Sequence, residues 1–63
     1  MNEIELRIYR DYFSDIIRCS SRAFDACEEY DLNQALNHLQ SAQFWMNKFQ
    51  KRLILKRDED NQS

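Results

Sequence analysis

Glycine and proline are both absent from this 63-residue chain. The two strongest chain-breaking residues are therefore missing, and little remains from which to build loops. A glycine-rich phosphate-binding loop is excluded outright. Cysteine occurs twice, as Cys19 and Cys27, eight residues apart. On one helix that spacing separates them by about 12 Å, whereas bridged cysteines have Cα atoms within about 7 Å. Both are expected reduced, acting as small hydrophobes. His38 is the sole histidine, and no Cys or His pair has ligand spacing, so neither metal nor cofactor is expected. There is no Ser-His-Asp or Cys-His arrangement and no acid pair for an apolar pocket to split in pKa. The chain is therefore read as non-enzymatic, without a small-molecule substrate. No apolar run is long enough to span a bilayer. The opening Met1-Asn2-Glu3-Ile4-Glu5 lacks the basic leader and apolar stretch of a signal peptide, so the expected compartment is the cytoplasm. Nine basic residues against eleven acidic ones give a net charge of −2, which counts against a general polyanion binder.

What the chain does contain is two apolar stripes of one heptad phase, broken near Asp31. The first runs Leu6, Tyr9, Phe13, Ile16, Ser20, Ala23, Cys27, Tyr30, and the second Leu32, Ala35, Leu39, Ala42, Met46, Phe49, Leu53. Alternating three-and-four spacing places each set along one helix seam. The expected fold is all-α: an antiparallel two-helix hairpin with helices over about 3–29 and 32–57. Asn2 and Asp31 are the expected N-caps, with Glu5 and Gln34 completing capping boxes. Tyr30 or Asp31 must take the bend. Glu3 and Glu5 are expected near Lys56 and Arg57. The domain spans 1–57, and the polar run 58–63 is expected to be a disordered tail. A single copy this short buries little core. With disulfides and metals set aside, self-association into a homodimeric four-helix bundle is the expected remedy. Its seam would be Leu6, Tyr9, Phe13, Ile16, Ala23, Leu39, Met46, Phe49 and Leu53.

The apolar arc of helix one is wider than one partner helix can bury. Ile8, Tyr12, Cys19 and Ala26 extend it on one flank, Ile17 and Phe24 on the other. On helix two, Phe44 and Leu55 point away from the seam, in line with Lys48 and Lys51, while Trp45 sits on a flank beside Arg52. An apolar and basic ridge of this kind calls for a cover. A dimer partner, a host protein anchored by Trp, Phe and Arg, and nucleic acid stacked on the rings with lysines on phosphates all fit. Phe44 to Arg57 also contains no acid, as in a membrane-surface helix, although the acidic run that follows opposes attraction to anionic lipid. The candidate partner-binding residues are Phe44, Trp45, Lys48, Lys51, Arg52 and Leu55.

Residues Glu29-Tyr30-Asp31-Leu32-Asn33-Gln34-Ala35-Leu36, with Leu39 and Ala42, are similar to the turn and second helix of a tetratricopeptide repeat. A single unit with no neighbour to stack on is not a repeat protein. The chain as a whole, from Met1-Asn2-Glu3-Ile4-Glu5-Leu6 to Arg57-Asp58-Glu59-Asp60-Asn61-Gln62-Ser63, resembles the small early proteins of the exo–xis region of lambdoid bacteriophages. That resemblance implies an early phage accessory protein, in the host cytoplasm, that modulates host physiology or the lysis–lysogeny decision by binding a host protein. It carries over no catalytic or binding residues. The hairpin also resembles the plasmid copy-number regulators that dimerise into four-helix bundles and bind paired RNA loops, an analogy of architecture alone.

Overall fold

A computed structural model describes residues 2–62. It consists of two helices, α1 (Glu3–Glu28) and α2 (Leu32–Gln62), packed as a hairpin with no strand among the described residues. The Cα envelope measures 51 × 19 × 10 Å. Its smallest dimension is about one helix diameter, so the hairpin is a single layer with two open broad faces.

Local sequence sets the ends of the helices. Asn2 is extended, and its side-chain oxygen accepts from the Glu5 N–H at 2.9 Å. The acids Glu3 and Glu5 then lie at the positive helix end. At the turn Tyr30 takes φ 58°, the left-handed conformation that ordinarily falls to glycine. Its N–H donates to the Cys27 carbonyl at 3.0 Å, and the Asp31 N–H donates to the Ala26 carbonyl at 2.9 Å. These two bonds form a Schellman motif that satisfies the last carbonyls of α1. Asp31 also opens the next helix. Its side chain accepts from the Gln34 N–H at 3.2 Å, and its carbonyl accepts from Ala35 at 3.0 Å. Sharing one residue between a C-terminal motif and an N-cap is what lets a chain without glycine reverse so tightly.

Among the described residues, four of the six buried side chains are alanines: Ala23 and Ala26 on α1, and Ala35 and Ala42 on α2. The other two, Tyr9 and Phe49, sit towards the open end. There Phe49 is the hub of a ring cluster, with centroids 5.5 Å from Tyr9, 5.6 Å from Tyr12 and 4.5 Å from Phe13. Tyr12 also meets Trp45 edge-on at 6.1 Å. Close backbone approach at the alanines, where no long side chain holds the helices apart, gives way to interlocked rings.

The packing phase differs from the expected seam. Tyr9, Ala23 and Phe49 are buried and Ile16 is half-buried, but Leu6, Phe13, Leu39, Met46 and Leu53 are exposed, from 38% at Leu53 to 52% at Phe13. In their place Ile8, Tyr12 and Cys19 on α1, and His38 and Trp45 on α2, are half-buried. Each helix is rotated towards the flank of its arc that carries small residues and fitted rings. The second difference is at the C-terminus. The acidic run expected to be a tail continues α2 to Gln62. Lys56 holds Asp60 one turn on at 3.6 Å and Glu5 of α1 at 3.3 Å, and Arg57 meets Asp58 at 3.3 Å. The expected approach of Glu5 to Lys56 is thus observed. Ser63 lies outside the described residues.

The rotation strands two apolar stripes. Leu6, Phe13, Ile17 and Phe24 on α1, and Leu32, Leu36, Leu39, Met46, Leu53 and Ile54 on α2, are all exposed. On each helix the stripe lies roughly 100° beyond the buried residues in the same rotational sense. Because the helices run in opposite directions, that common sense brings both stripes out on one broad face.

Candidate interaction surface

The six candidate partner-binding residues lie on the other side of α2 from this apolar face. Phe44 is 58% exposed and Leu55 64%, while Lys48, Lys51 and Arg52 are exposed and Trp45 is half-buried. Helical spacing of four, three and four aligns Phe44, Lys48, Lys51 and Leu55. Two adjoining patches result. In the first, Phe44 and Trp45 meet edge-on at 5.4 Å, and the Lys48 ammonium sits 5.4 Å from one ring centroid and 5.5 Å from the other. Cation–π attraction of this kind holds the lysine stem along the rings. A shallow depression beside it is lined by Asn37, Gln40, Ser41, Phe44 and Trp45.

The second patch is a groove of about 350 Å³ between the helices at the open end, lined by Glu5, Ile8, Tyr9, Arg52, Leu55, Lys56 and Glu59. Lys56 is held protonated above the ordinary lysine value of 10.5. The main cause is the Glu5 carboxylate 3.3 Å away, with the charge of Asp60 adding to it. The Glu5–Lys56 ion pair links the two helices at the open end, and Arg52 and Leu55 form the groove wall nearest the ridge.

Trp45 is the candidate whose setting differs most from expectation. It is packed by Tyr12 from the opposite helix as well as by Phe44 and Lys48, so it anchors the ridge to the hairpin more than it projects from it. Asn37, Gln40 and Ser41 were not singled out in the sequence. Their spacing ahead of Phe44, one helix face by threes and fours, was the available signal. Comparison with protein-family models, curated proteins and solved structures finds no match to this chain. Among the described residues no group of three or more His, Cys, Asp and Glu is placed to hold a metal ion, and no helix is long and apolar enough to cross a membrane.

Proposed function

We propose that this protein is a non-enzymatic interaction module: a homodimeric four-helix bundle that presents the Phe44–Leu55 ridge to a host protein and alters that protein's activity. The resemblance to lambdoid phage early proteins makes the setting an infected bacterial cytoplasm and the outcome a shift in host physiology or in the lysis–lysogeny decision. The observation that carries the reading is that the chain exposes apolar side chains on two sides at once. One broad face carries the two exposed apolar stripes, interrupted on α2 by Gln43 and Gln50. The ridge behind it mixes Phe44 and Leu55 with Lys48, Lys51 and Arg52 and holds no acid from Phe44 to Arg57. A dimer contact covers the first and leaves the second outward in both copies. Aromatic and arginine anchors ringed by charge are what protein-binding hot spots are made of, and the complementary surface is an acidic segment carrying apolar side chains.

Nucleic-acid binding through the same basic stretch is the alternative. The Lys48 ammonium already over both rings weighs against it, since stacking platforms need an open ring face. The test is affinity capture from the host with the wild type and with Phe44→Ala/Lys48→Glu/Lys51→Glu, checked for unchanged helicity and mass. A host protein retained by the wild type and lost by the variant supports the proposal. Equal retention by both removes the ridge from it. Binding that collapses with salt, as counterions return to a polyanion, gives the site to nucleic acid instead.

A further inference from the structure

The apolar broad face carries information about how two copies meet. The pairs Glu5–Lys56, Tyr9–Phe49 and Tyr12–Trp45 set the register of the hairpin. Carried along both helices, that register puts Leu6 level with Leu53, Phe13 with Met46, Ser20 with Leu39 and Cys27 with Leu32. Volume is thus unevenly distributed, with a bulky level of Phe13 and Met46 next to one that contains only a serine and a leucine.

Charge is uneven too. The turn end carries Asp25, Glu28, Glu29 and Asp31, and no lysine or arginine occurs anywhere between Arg22 and Lys48. Every other basic residue lies towards the middle or open end of the hairpin. On the rim of the apolar face itself, Arg10 follows Leu6 by one turn near the open end, and Glu28 follows Phe24 by one turn near the bend.

We infer that the apolar face binds a second copy of this chain in antiparallel fashion, with the two turns at opposite ends of the bundle. This rests on the dimer proposed above and adds its topology. Stacked this way, the Phe13–Met46 level of each copy meets the Ser20–Leu39 level of the other, so the Phe13 ring opposes the small Ser20 while Met46 opposes Leu39. Arg7 and Arg10 come level with Asp25 and Glu28 of the second copy, so opposite charges rim the contact. Stacked with the turns together, the bulky levels collide, the serine levels leave a gap, and eight carboxylates gather at one end with one arginine per copy, Arg22, as the nearest Lys or Arg. The exposed area is consistent with a missing partner. A compact chain of this mass exposes roughly 4,300 Å², and this one exposes 5343 Å². The excess is similar to the about 800 Å² that each partner loses in a standard interface.

The test places one spin label per chain at the turn, using Glu29→Cys in a Cys19→Ala/Cys27→Ala background, and reads label separation by pulsed EPR alongside sedimentation equilibrium. In the antiparallel dimer the labels are about 35 Å apart or more, from the helix rise along the bundle. With the turns together they are about 20 Å apart or less, two helix diameters at most. A dimer mass with the long distance supports the inference. A dimer mass with the short distance overturns the topology and leaves the dimer standing, whereas a monomer mass overturns both. A second variant, Asp25→Lys/Glu28→Lys, gives an independent reading of opposite sign. It weakens the antiparallel dimer roughly five-fold by placing bases against Arg7 and Arg10, and it strengthens a turns-together dimer. A strengthened dimer would overturn the inference.

Discussion

Removing the Phe49 ring should unfold this protein under conditions where removing Phe44 barely disturbs it. Phe49 is buried and touches three other rings, Tyr9, Tyr12 and Phe13. Phenylalanine-to-alanine changes at buried sites cost about 3–5 kcal/mol, part transfer and part cavity. Here the site lies at the edge of a one-layer hairpin, where neighbours collapse inward easily, so the lower end of about 3 kcal/mol applies. A chain of this size has roughly 3–9 kcal/mol of total stability, so a third of it or more depends on one side chain. Phe44 is 58% exposed and meets the edge of Trp45 and the Lys48 ammonium. Its removal should cost about 0.5–1 kcal/mol, the value of such a ring contact. The assay is urea unfolding followed by circular dichroism at one fixed protein concentration, because a dimer makes the midpoint concentration-dependent. With a urea slope near 1 kcal/mol/M for so small a chain, Phe49→Ala should lower the midpoint by about 3 M and Phe44→Ala by less than about 1 M. If Phe49→Ala moved it by under about 0.5 M, or if the two variants changed places, the ring cluster would not be the core and the packing phase described here would be wrong.

Tyr30→Gly should raise stability. The residue is 90% exposed with φ 58°, so glycine loses no packing and relieves a left-handed strain of about 1–2 kcal/mol. The extra freedom of unfolded glycine takes back up to about 1 kcal/mol. A net gain of roughly 0.5 kcal/mol is expected in the same urea titration, and a loss would mean that the tyrosine ring makes a contact of its own. The Glu5–Lys56 pair predicts an alkaline dependence. Because the folded lysine holds its proton above 10.5, the contribution of the pair is complete below that value and is lost as pH rises through the raised one. The stability difference between wild type and Lys56→Met should be constant from pH 7 to about pH 10 and shrink beyond it. A difference that grew with pH would contradict the assignment.

Much of this architecture could be read from residue order alone because it depends on local chemistry. Asn2 and Asp31 cap their helices through contacts three residues away, and the reversal falls at Tyr30, between two uninterrupted helical patterns. The ridge was also legible. Phe44 and Leu55 are out of phase with the apolar stripe of their own helix, and both are exposed. The end of α2 was not legible, since the run 58–62 has no apolar side chain to bury and so reads as a tail, yet the helix continues to Gln62 with Lys56 meeting Asp60 one turn on.

The sequence by itself determined that there are two helices, where they start, where the chain turns and that their apolar arcs are too wide for one another. Only the tertiary structure decided which part of each arc is used. A heptad pattern states that Leu6, Phe13, Leu39, Met46 and Leu53 share a side of their helices, but it does not say how two arcs wider than their contact will divide. That choice is made by non-local fit: the close approach allowed by Ala23, Ala26, Ala35 and Ala42, and the lock of Tyr12 against Trp45 and Phe49. A rotation of part of a turn satisfies both, and it leaves the larger aliphatic side chains outside on one face.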